Sequence, residues 1–397
     1  MINTLKNIFH ESRRVFAKAW LAMHKNVQVI GITGSYGKTN TTAAIAAVLS
    51  EKFKVLSTDL NLDTRFNIPI TVFGLSDHEK LVLEYGIDKR GEMDYHLFVA
   101  KPSIAVITGI TSVHADSAHL GSLENIIREK GKLAAAVPKS GWVIINWEDQ
   151  DARKIAFVAT AKIIFYGENK DKCQYWASDV RTSLSGTSFT LHYQDKAYKI
   201  KIPLIGRHHS YTAMAAAIVG TLCGLKWKEI VTGLAKVAPL SGRGTIEIGP
   251  KGTTILNDSR RANPASAIAG LATLEDLPAK RKIAVLGEMG ELGDYEEEGH
   301  RSVGEKAAST KPDYLICVGG ATKYIAEEAR KGLEKDRVIY VKDVFEAAQL
   351  LSGILQKRDL WYLKGSLLKH LERIPLILEG KKVDPDKIAS KRYEVYR

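Results

Sequence analysis

The sequence predicts an α/β fold in which two parallel-sheet domains follow one another. Short apolar runs alternate with helical patterns, a glycine-rich turn joins the first run to a helix, and the alternation starts again near residue 240. Apolar runs of about four to eight residues bounded by turn residues are typical of strands that are buried on both faces. The chain has 397 residues, which is enough for two or three domains.

The apolar pattern predicts the strands in order. The first series is expected at 27–33, 81–84, 104–108 and 143–146. Polar and apolar residues then alternate within 173–203, at 188–193 and 197–204, which indicates a small antiparallel ribbon, and an alanine-rich helix follows at 211–222. The second series is expected at 253–256, 283–286, 314–318, 338–341 and 360–363. We therefore predict an N-terminal helix over 1–27, a central domain over 28–240 and a C-terminal α/β domain over 241–397.

Composition narrows the class of protein. The formal net charge is +12, but the basic residues are spread along the chain and no nucleic-acid-binding motif is present, so we expect anionic small-molecule or peptide substrates and no nucleic acid. Cys173, Cys223 and Cys317 form no CxxC pair, which favours a reduced cytoplasmic setting. No apolar run reaches the roughly 18 residues of a membrane span.

The N-terminal segment is expected to be a basic amphipathic helix. Leu5, Ile8, Phe9, Phe16 and Trp20 recur at helical spacing among basic residues. Such a helix is compatible with contact to an anionic membrane surface or a partner protein. Packing against the first domain is the alternative, and the sequence leaves both open.

Residues 29–45, VIGITGSYGKTNTTAAI, predict a phosphate-binding loop. An apolar strand enters a glycine turn, and a helix leaves it, so that free backbone N–H groups and the positive end of the helix dipole converge on one place. The spacing is TGxxGKT rather than the common GxxxxGK[ST]; the alternative is a tight turn with a surface lysine. The residues expected to bind the triphosphate are Gly34, Ser35, Tyr36, Gly37, Lys38 and Thr39, with Thr39 also expected on Mg²⁺.

Further motifs recur in an order that resembles the Mur ligases, and among them the type that adds D-alanyl-D-alanine. They include TGSYGKTNTT (33–42), TDLNLDTRFNIPIT (58–71), LEYGIDKRGEM (83–93), ITGITSVHADSAHLGS (107–122), EKGKL (129–133), NDSRRANPAS (257–266), VLGEMGELG (285–293) and LKGS (363–366). The resemblance implies a P-loop central domain, a Rossmann-like C-terminal domain and an ATP- and Mg²⁺-dependent ligase of cell-wall precursor synthesis. Such an enzyme phosphorylates a carboxylate and then couples it to an amine.

The resemblance also implies a metal site. Glu84 ends a predicted strand, where a carboxylate lies at the usual ligand crevice of a parallel sheet. His114 and Lys130 match the family's metal-binding histidine and its carbamylated lysine, and both are expected to be catalytic together with Lys38. His119 is a rival for the histidine and Lys132 for the lysine. Ordinary solvent-exposed side chains are the alternative at each position.

Residues of both domains are expected to contact the nucleotide and the amine. By resemblance, Asn146, Arg243, Asp258 and Asn263 bind ATP, although Arg260 and Arg261 replace a Tyr-Asn pair, and His209 and Thr212 replace two asparagines, which leaves the preference for ATP over GTP open. Glu288, Glu291, His300, Lys364 and Ser366 are expected around the amine substrate. Loop packing and helix capping are the alternative for these five, and Leu367 replaces a frequent arginine.

Other interpretations concern the acceptor substrate and the class of protein. Full members of the family carry an N-terminal domain that holds a uridine nucleotide, and the roughly 27 residues before the first strand are too few for it, so the acceptor could differ. A polyglutamate- or folate-type ligase is one alternative. A nucleotide-binding scaffold without activity is another, and a P-loop switch or kinase is disfavoured because neither NKxD nor an arginine-rich lid is present.

Overall fold

The structure, a computed structural model, describes residues 2–58 and 66–383. Two compact units divide the chain: the first comprises Met1–Val180, Ser188–Ile202 and His209–Val237, and the second comprises Arg181–Thr187, Pro203–His208 and Ala238–Arg397. The motif expected at 58–71 lies largely outside the described residues, because 59–65 fall in the gap.

Helices and strands alternate along most of the chain. The helices are α1 (Ile2–Met23), α2 (Lys38–Leu49), α3 (Asn67–Phe73), α4 (Glu92–Val99), α5 (Leu123–Ala135), α6 (Gln150–Lys154), α7 (His209–Leu222), α8 (Trp227–Ala235), α9 (Pro264–Asp276), α10 (Glu296–Thr310), α11 (Lys323–Ala329), α12 (Val344–Ile354) and α13 (Arg373–Leu378). The strands are β1 (Gln28–Thr33), β2 (Val55–Ser57), β3 (Lys80–Glu84), β4 (Ile104–Ile107), β5 (Trp142–Asn146), β6 (Lys162–Gly167), β7 (Tyr175–Ser183), β8 (Gly186–Tyr193), β9 (Lys196–Ile202), β10 (Thr245–Gly249), β11 (Thr253–Asp258), β12 (Lys282–Gly287), β13 (Tyr314–Val318), β14 (Val338–Val341) and β15 (Leu360–Lys364).

The first sheet has nine strands in the order β2-β3-β1-β4-β5-β6-β7-β8-β9. The strands β1 to β6 pair in parallel, and β1 lies between β3 and β4. Their middle residues are almost all buried, because helices cover both faces of such a sheet. The carboxyl ends of β1, β3 and β4 therefore meet at one edge, with Ile32 opposite Glu84 and Thr33 opposite Ile107.

The predicted ribbon is a continuation of this sheet. Two-residue connections join β7 to β8 and β8 to β9, and connections that short only link antiparallel neighbours. The ribbon begins at β7, which pairs with β6. The sequence pattern missed β2, β6, β7 and β10; β2, for example, has three residues and is too short to show a period.

The second sheet has six strands in the order β10-β11-β15-β12-β13-β14. Only β10 and β11 pair antiparallel. The C-terminal strand β15 lies in the middle, between β11 and β12, where Trp361 and Leu363 join a fully buried aliphatic cluster. This arrangement places the last residues of β11 and β15, Asp258 and Lys364, opposite each other.

The N-terminal helix α1 packs against α3 and α4 of the first unit. Arg14 and Ala17 are buried in that contact. None of the helices in the described ranges combines the length and the apolar character that a bilayer-spanning helix requires.

Candidate active site

The turn between β1 and α2 has the backbone of a phosphate-binding loop. Gly34 and Gly37 have φ values of 153° and 77°, a region that favours glycine. A Cβ on Gly34 would lie 2.1 Å from Thr108 Oγ1, so only glycine fits there. Among the described residues no side chain caps the N-terminus of α2, which leaves its N–H groups for an anionic ligand.

Residues that follow β4 hold the loop in place. Ser35 N–H donates to the Gly109 carbonyl at 2.7 Å, and Ser35 Oγ accepts from Thr111 N–H at 3.0 Å. Thr108 Oγ1 donates to the Tyr36 carbonyl at 2.5 Å. The loop is therefore fixed before any ligand arrives, which is the property that preorganised anion binding requires.

Tyr36 is locked by Asp149, 113 positions further along the chain. The Tyr36 hydroxyl donates to Asp149 Oδ2 at 2.7 Å, and the same oxygen accepts from Ile110 N–H at 2.9 Å. Burial, together with the Asp149 carboxylate, raises the pKa of Tyr36 far above its ordinary value, so the phenol stays protonated and remains a donor. Asp149 Oδ1 also caps α6 by accepting from Ala152 N–H.

Lys38 is the first residue of α2, and its Nζ donates to the Gly34 carbonyl at 2.8 Å. The ammonium is thus held over the loop that it follows. Thr39 is next in the helix and is buried to 7% exposure. Both side chains therefore lie at the end of the helix where the positive dipole and the free N–H groups converge.

Lys130 is the most unusual cation of the first unit. It lies on α5 with 2% exposure. Burial lowers the pKa of Lys130 well below its ordinary value; Lys38 lowers it further, while Asp88, Glu84 and Glu129 oppose the shift. A depressed pKa increases the unprotonated fraction of an amine, and the unprotonated amine is the form that reacts with carbon dioxide.

Lys132, the rival, has a surface setting. Its Nζ forms ion pairs with Asp94 at 2.6 Å and Glu129 at 2.7 Å, and a third of its side chain is exposed. Burial lowers the pKa of Lys132, but the two carboxylates together raise it above its ordinary value. The geometry therefore favours Lys130 over Lys132 as the reactive lysine.

Glu84 and His114 lie near the same edge of the first sheet. The backbone of Glu84 is fixed on both sides, because its N–H donates to Thr58 Oγ1 and its carbonyl accepts from Asn67 Nδ2, each at 3.0 Å. His114 has a φ of 71° and directs Nδ1 to the Ile87 carbonyl at 3.0 Å.

Asp88 connects the histidine to the lysine. Its carboxylate lies 3.7 Å from His114 Nδ1 and also acts electrostatically on Lys130. His119 stacks on His114 with ring centroids 5.2 Å apart, and its Nδ1 is bound by Asp116 at 2.7 Å. His114 is thus the histidine that lies near Asp88, whereas His119 is bound by Asp116. Sequence reasoning missed Asp88, although its position shortly after a strand that ends in glutamate was a usable signal.

The donors at this edge fit a magnesium ion in part. Thr39 and Glu84 offer the hard oxygen ligands that Mg²⁺ prefers. Within the described ranges no three His, Cys, Asp or Glu side chains gather into a metal-binding group. An ion here would take its remaining ligands from phosphate oxygens and water, which is the usual way in which Mg²⁺ accompanies a triphosphate.

Asn146, at the end of β5, forms a hydrogen bond to the residue that follows the neighbouring strand β4. Its Nδ2 donates to the Thr108 carbonyl at 3.1 Å, and its Oδ1 accepts from Glu148 N–H at 3.1 Å. Contact of this side chain with a nucleotide stays a prediction.

In the second unit, two of the residues expected to contact substrates form an ion pair. Lys364 Nζ donates to Asp258 Oδ2 at 2.6 Å, at the ends of the adjacent strands β15 and β11. Burial raises the pKa of Asp258 and lowers that of Lys364, and each partner opposes the other's shift. Asn263 caps α9, with Oδ1 accepting from Ser266 N–H at 2.9 Å. Contact of Arg243, which follows Gly242, with a nucleotide stays a prediction.

The loop after β12 is built around His300 and Glu288. His300 is fully buried: its Nδ1 lies 2.7 Å from the Glu296 carbonyl and its Nε2 accepts from Met289 N–H at 3.1 Å, so backbone groups engage both ring nitrogens. Burial lowers the pKa of His300, in keeping with a neutral ring. His300 thus holds the loop, and direct contact with the amine stays a prediction.

Glu288 is held at the mouth of this loop. Its Oε1 accepts from Ala321 N–H at 2.8 Å, and Lys369 pairs with Oε2. Burial alone would raise the pKa of Glu288, but Lys369 and the Ala321 N–H hold it below its ordinary value. Ser366 N–H donates to the Glu288 carbonyl at 3.0 Å, so the two predicted residues lie together.

Glu291 has a φ of 67°, in the left-handed region. Its contact with a substrate stays a prediction. Sequence reasoning missed Lys369, whose only signal was its position three residues after the LKGS motif.

The fold and this first-unit site define an α/β protein with a phosphate-binding loop. Family models match two segments of the chain: the Mur ligase middle domain matches residues 32–220, and the Mur ligase, glutamate ligase domain matches residues 242–367. The UDP-N-acetylmuramoyl-tripeptide–D-alanyl-D-alanine ligase of Bacillus subtilis is 33% identical over 360 residues, which are 90% of this chain and 77% of that protein. The chain belongs to the Mur ligase family.

Other relatives agree. The Escherichia coli ligase of the same name is 28% identical over 330 residues, covering 82% of this chain and 72% of that protein. Among solved structures, MurF from Acinetobacter baumannii gives a TM-score of 0.84 at 24% identity over 94% of this chain and 81% of its own. MurF from Thermotoga maritima, in complex with ADP, gives a TM-score of 0.81 at 22% identity, covering 94% of this chain and 84% of its own. The last two show the fold.

Proposed function

We propose that this chain is an ATP-dependent ligase that forms a peptide bond in the synthesis of a peptidoglycan precursor, with D-alanyl-D-alanine as the amine and a muramyl tripeptide as the acid. The observation that carries this proposal is the combination of a preformed phosphate loop with a buried lysine, Lys130. The charges of Lys38 and of three carboxylates all influence the pKa of this lysine. The similarity to ligases named for that reaction supports the choice of substrates.

The reaction has two steps. A carboxylate oxygen of the acid attacks the γ-phosphorus of ATP, and ADP leaves, so that an acyl phosphate remains. The amine nitrogen then attacks the acyl carbon, loses a proton, and inorganic phosphate leaves. Charge accumulates on phosphate oxygens in the first step, and fixed donors stabilise it without further reorganisation.

Each residue of the first-unit site has a proposed role in these steps. The backbone N–H groups of residues 34, 36 and 37 and the N-terminus of α2 would bind phosphate oxygens, while the Ser35 N–H holds the loop through the Gly109 carbonyl. Lys38 would supply the charge at the β- and γ-phosphates. Thr39, Glu84 and His114 would hold Mg²⁺, which screens the charge of the triphosphate when it is bound. Lys130, as an anionic carbamate, would hold a second ion.

The residues of the second unit are proposed to serve the nucleotide and the amine. Arg243, Asp258 and Asn263 are assigned to ATP together with Asn146 of the first unit. Glu288 keeps a negative charge that suits an incoming ammonium group, because Lys369 and a backbone N–H hold its pKa low. We also assign four residues to the amine site: Glu291, His300, Lys364 and Ser366. His300 would act by holding the loop after β12 in place.

Phosphate release provides the test. The purified protein is incubated with ATP, Mg²⁺, a UDP-muramyl tripeptide and D-alanyl-D-alanine, and each component is omitted in turn. Release that requires both the acid and the amine supports the ligase. Release that proceeds with L-glutamate and not with the dipeptide would support a polyglutamate-type ligase, and slow release indifferent to both would support a nucleotide switch.

The variant Lys38→Ala separates catalysis from folding. Loss of one fixed donor to the reacting phosphate is expected to lower kcat by about 100- to 1000-fold. Lys52→Ala is the matched control, because Lys52 is an exposed lysine that follows the far end of α2 and donates to the Gly224 carbonyl at 2.7 Å. Full activity in Lys38→Ala, with an unchanged thermal unfolding midpoint, would contradict the assigned role.

A further inference from the structure

The N-terminal helix α1 meets the first unit with one face and leaves an apolar face exposed. Arg14 and Ala17 are buried against the unit, whereas Phe16 is 66% exposed and Met23 is 73% exposed. From Glu11 onward, where the side chains of the helix are described, the exposed large apolar ones are Val15, Phe16, Trp20 and Met23. An amphipathic helix ordinarily turns its apolar face to the core, so this orientation needs an explanation.

Specific contacts fix this orientation. The Arg14 guanidinium lies over the Tyr95 ring of α4, 4.0 Å from its centroid, and its Nη1 donates to Glu11 at 2.6 Å. Lys18 Nζ lies 4.2 Å from the Phe98 ring centroid, also on α4. The face that packs on the unit is therefore centred on Arg14 and Ala17, with Lys18 exposed at its margin. The helix cannot turn its apolar face inward without breaking these contacts.

The exposed apolar residues form one stripe. At about 100° per residue, positions 15, 16, 19, 20 and 23 fall within one sector of the helix. We call the residues Val15, Phe16, Ala19, Trp20 and Met23 the outer stripe. The sequence continues the same spacing toward the N-terminus with Ile2, Leu5, Ile8 and Phe9.

Cations border the outer stripe on two sides. At about 100° per residue, Arg13 falls about 20° beyond the edge of the stripe at Trp20, and Lys18 falls about 60° beyond the edge at Val15. Arg13 lies over Phe66, next to α3, and Lys18 lies over Phe98 of α4. Long basic side chains beside an apolar surface extend their charge to the level of lipid headgroups.

The helices beside α1 widen the apolar surface. Ile70 and Phe73 of α3 and Tyr95 and Phe98 of α4 are each at least 40% exposed. Trp20, in the outer stripe, is of the type that is enriched at membrane–water interfaces.

We propose that the outer stripe docks this protein on an anionic membrane surface, with α1 lying in the plane of the interface. The apolar side chains enter the boundary between headgroups and acyl chains, and Arg13 and Lys18 meet the lipid phosphates. The formal net charge of +12 adds a long-range attraction to the same surface. A second copy of the chain suits this face less well, because it would bring two like-charged borders together.

Vesicle co-sedimentation tests the proposal with the full chain. Vesicles of equal parts phosphatidylglycerol and phosphatidylcholine are compared with vesicles of phosphatidylcholine alone. We expect binding to the anionic vesicles that weakens with added salt, and much weaker binding to the neutral ones. Phe16→Glu should reduce the partition coefficient on anionic vesicles about tenfold or more, since it removes one large apolar side chain that would be buried in the membrane.

Two further variants separate the contributions. Phe157→Glu is the matched control, because Phe157 is 91% exposed and lies outside the stripe; it should lower the partition coefficient clearly less than Phe16→Glu does. Lys18→Gln should lower binding about fivefold on anionic vesicles and leave the weak neutral binding unchanged. Each variant is checked by its thermal unfolding midpoint.

Three results would overturn the proposal. The first is that the wild-type chain stays in the supernatant with anionic vesicles. The second is that Phe16→Glu and Phe157→Glu change binding equally. The third is a wild-type dimer in light scattering that Phe16→Glu converts to a monomer, which would assign the stripe to self-association.

Discussion

Replacing Lys130 by methionine should remove activity and stabilise the fold at the same time. Lys130 has 2% exposure, so its side chain is almost entirely removed from water. Methionine has nearly the same length and shape and carries no polar nitrogen. If Lys130 is retained for activity at a cost in stability, its replacement should lower turnover and raise stability. Replacement of a purely structural residue should lower both.

The magnitude follows from the burial. Methionine removes the cost of burying the amine, so the free energy of unfolding should rise by about 1–3 kcal/mol. The pKa of Lys130 is depressed in the folded state, so between the folded and the unfolded pKa values the unfolded chain binds more protons. Wild-type stability should therefore rise with pH across that window, and the gain from methionine should be largest at its acidic end.

The assay combines urea unfolding across a pH series with phosphate release. Turnover of Lys130→Met should fall by about 100-fold or more, because an anionic ligand of the reacting centre is lost. Wild-type turnover should also fall when bicarbonate is removed and recover when it is restored. Lys132→Met is the control: its surface ion pairs predict a stability change within about 1 kcal/mol and unchanged turnover. A Lys130→Met variant that is active, or that is less stable than the wild type, would refute the reasoning.

Two further predictions concern the loop and the second unit. In Gly109→Ala the new Cβ would lie 2.1 Å from the Tyr36 ring. We therefore expect a loss of about 1–3 kcal/mol of stability and weaker ATP binding, measured by calorimetry. The control Gly353→Ala, whose Cβ would have no atom within 4 Å, should show neither effect. Lys364→Met leaves the Asp258 carboxylate without its ion pair and should cost about 3 kcal/mol in urea unfolding. Adding Asp258→Asn should recover part of that loss, and strictly additive losses would show that the two side chains are not coupled.

Local patterns in the sequence were enough for the main features of the fold. The phosphate loop was predictable because strand, glycine turn and helix are contiguous, and their geometry depends on neighbours in the chain. The strands of the parallel sheets were mostly predictable because residues buried on both faces read as apolar runs. Short strands such as β2 (Val55–Ser57) escaped prediction because three residues show no period.

The sequence alone determined that an anion-binding loop exists and that Lys130, Lys132, His114 and His119 compete for two roles. Only the tertiary structure distinguishes their surroundings, because burial and charge at a side chain are set by residues distant in the chain. Lys130 is enclosed while its neighbour Lys132 reaches two carboxylates. The same reason applies to α1: helical spacing shows that an apolar face exists, but its direction depends on what the opposite face packs against.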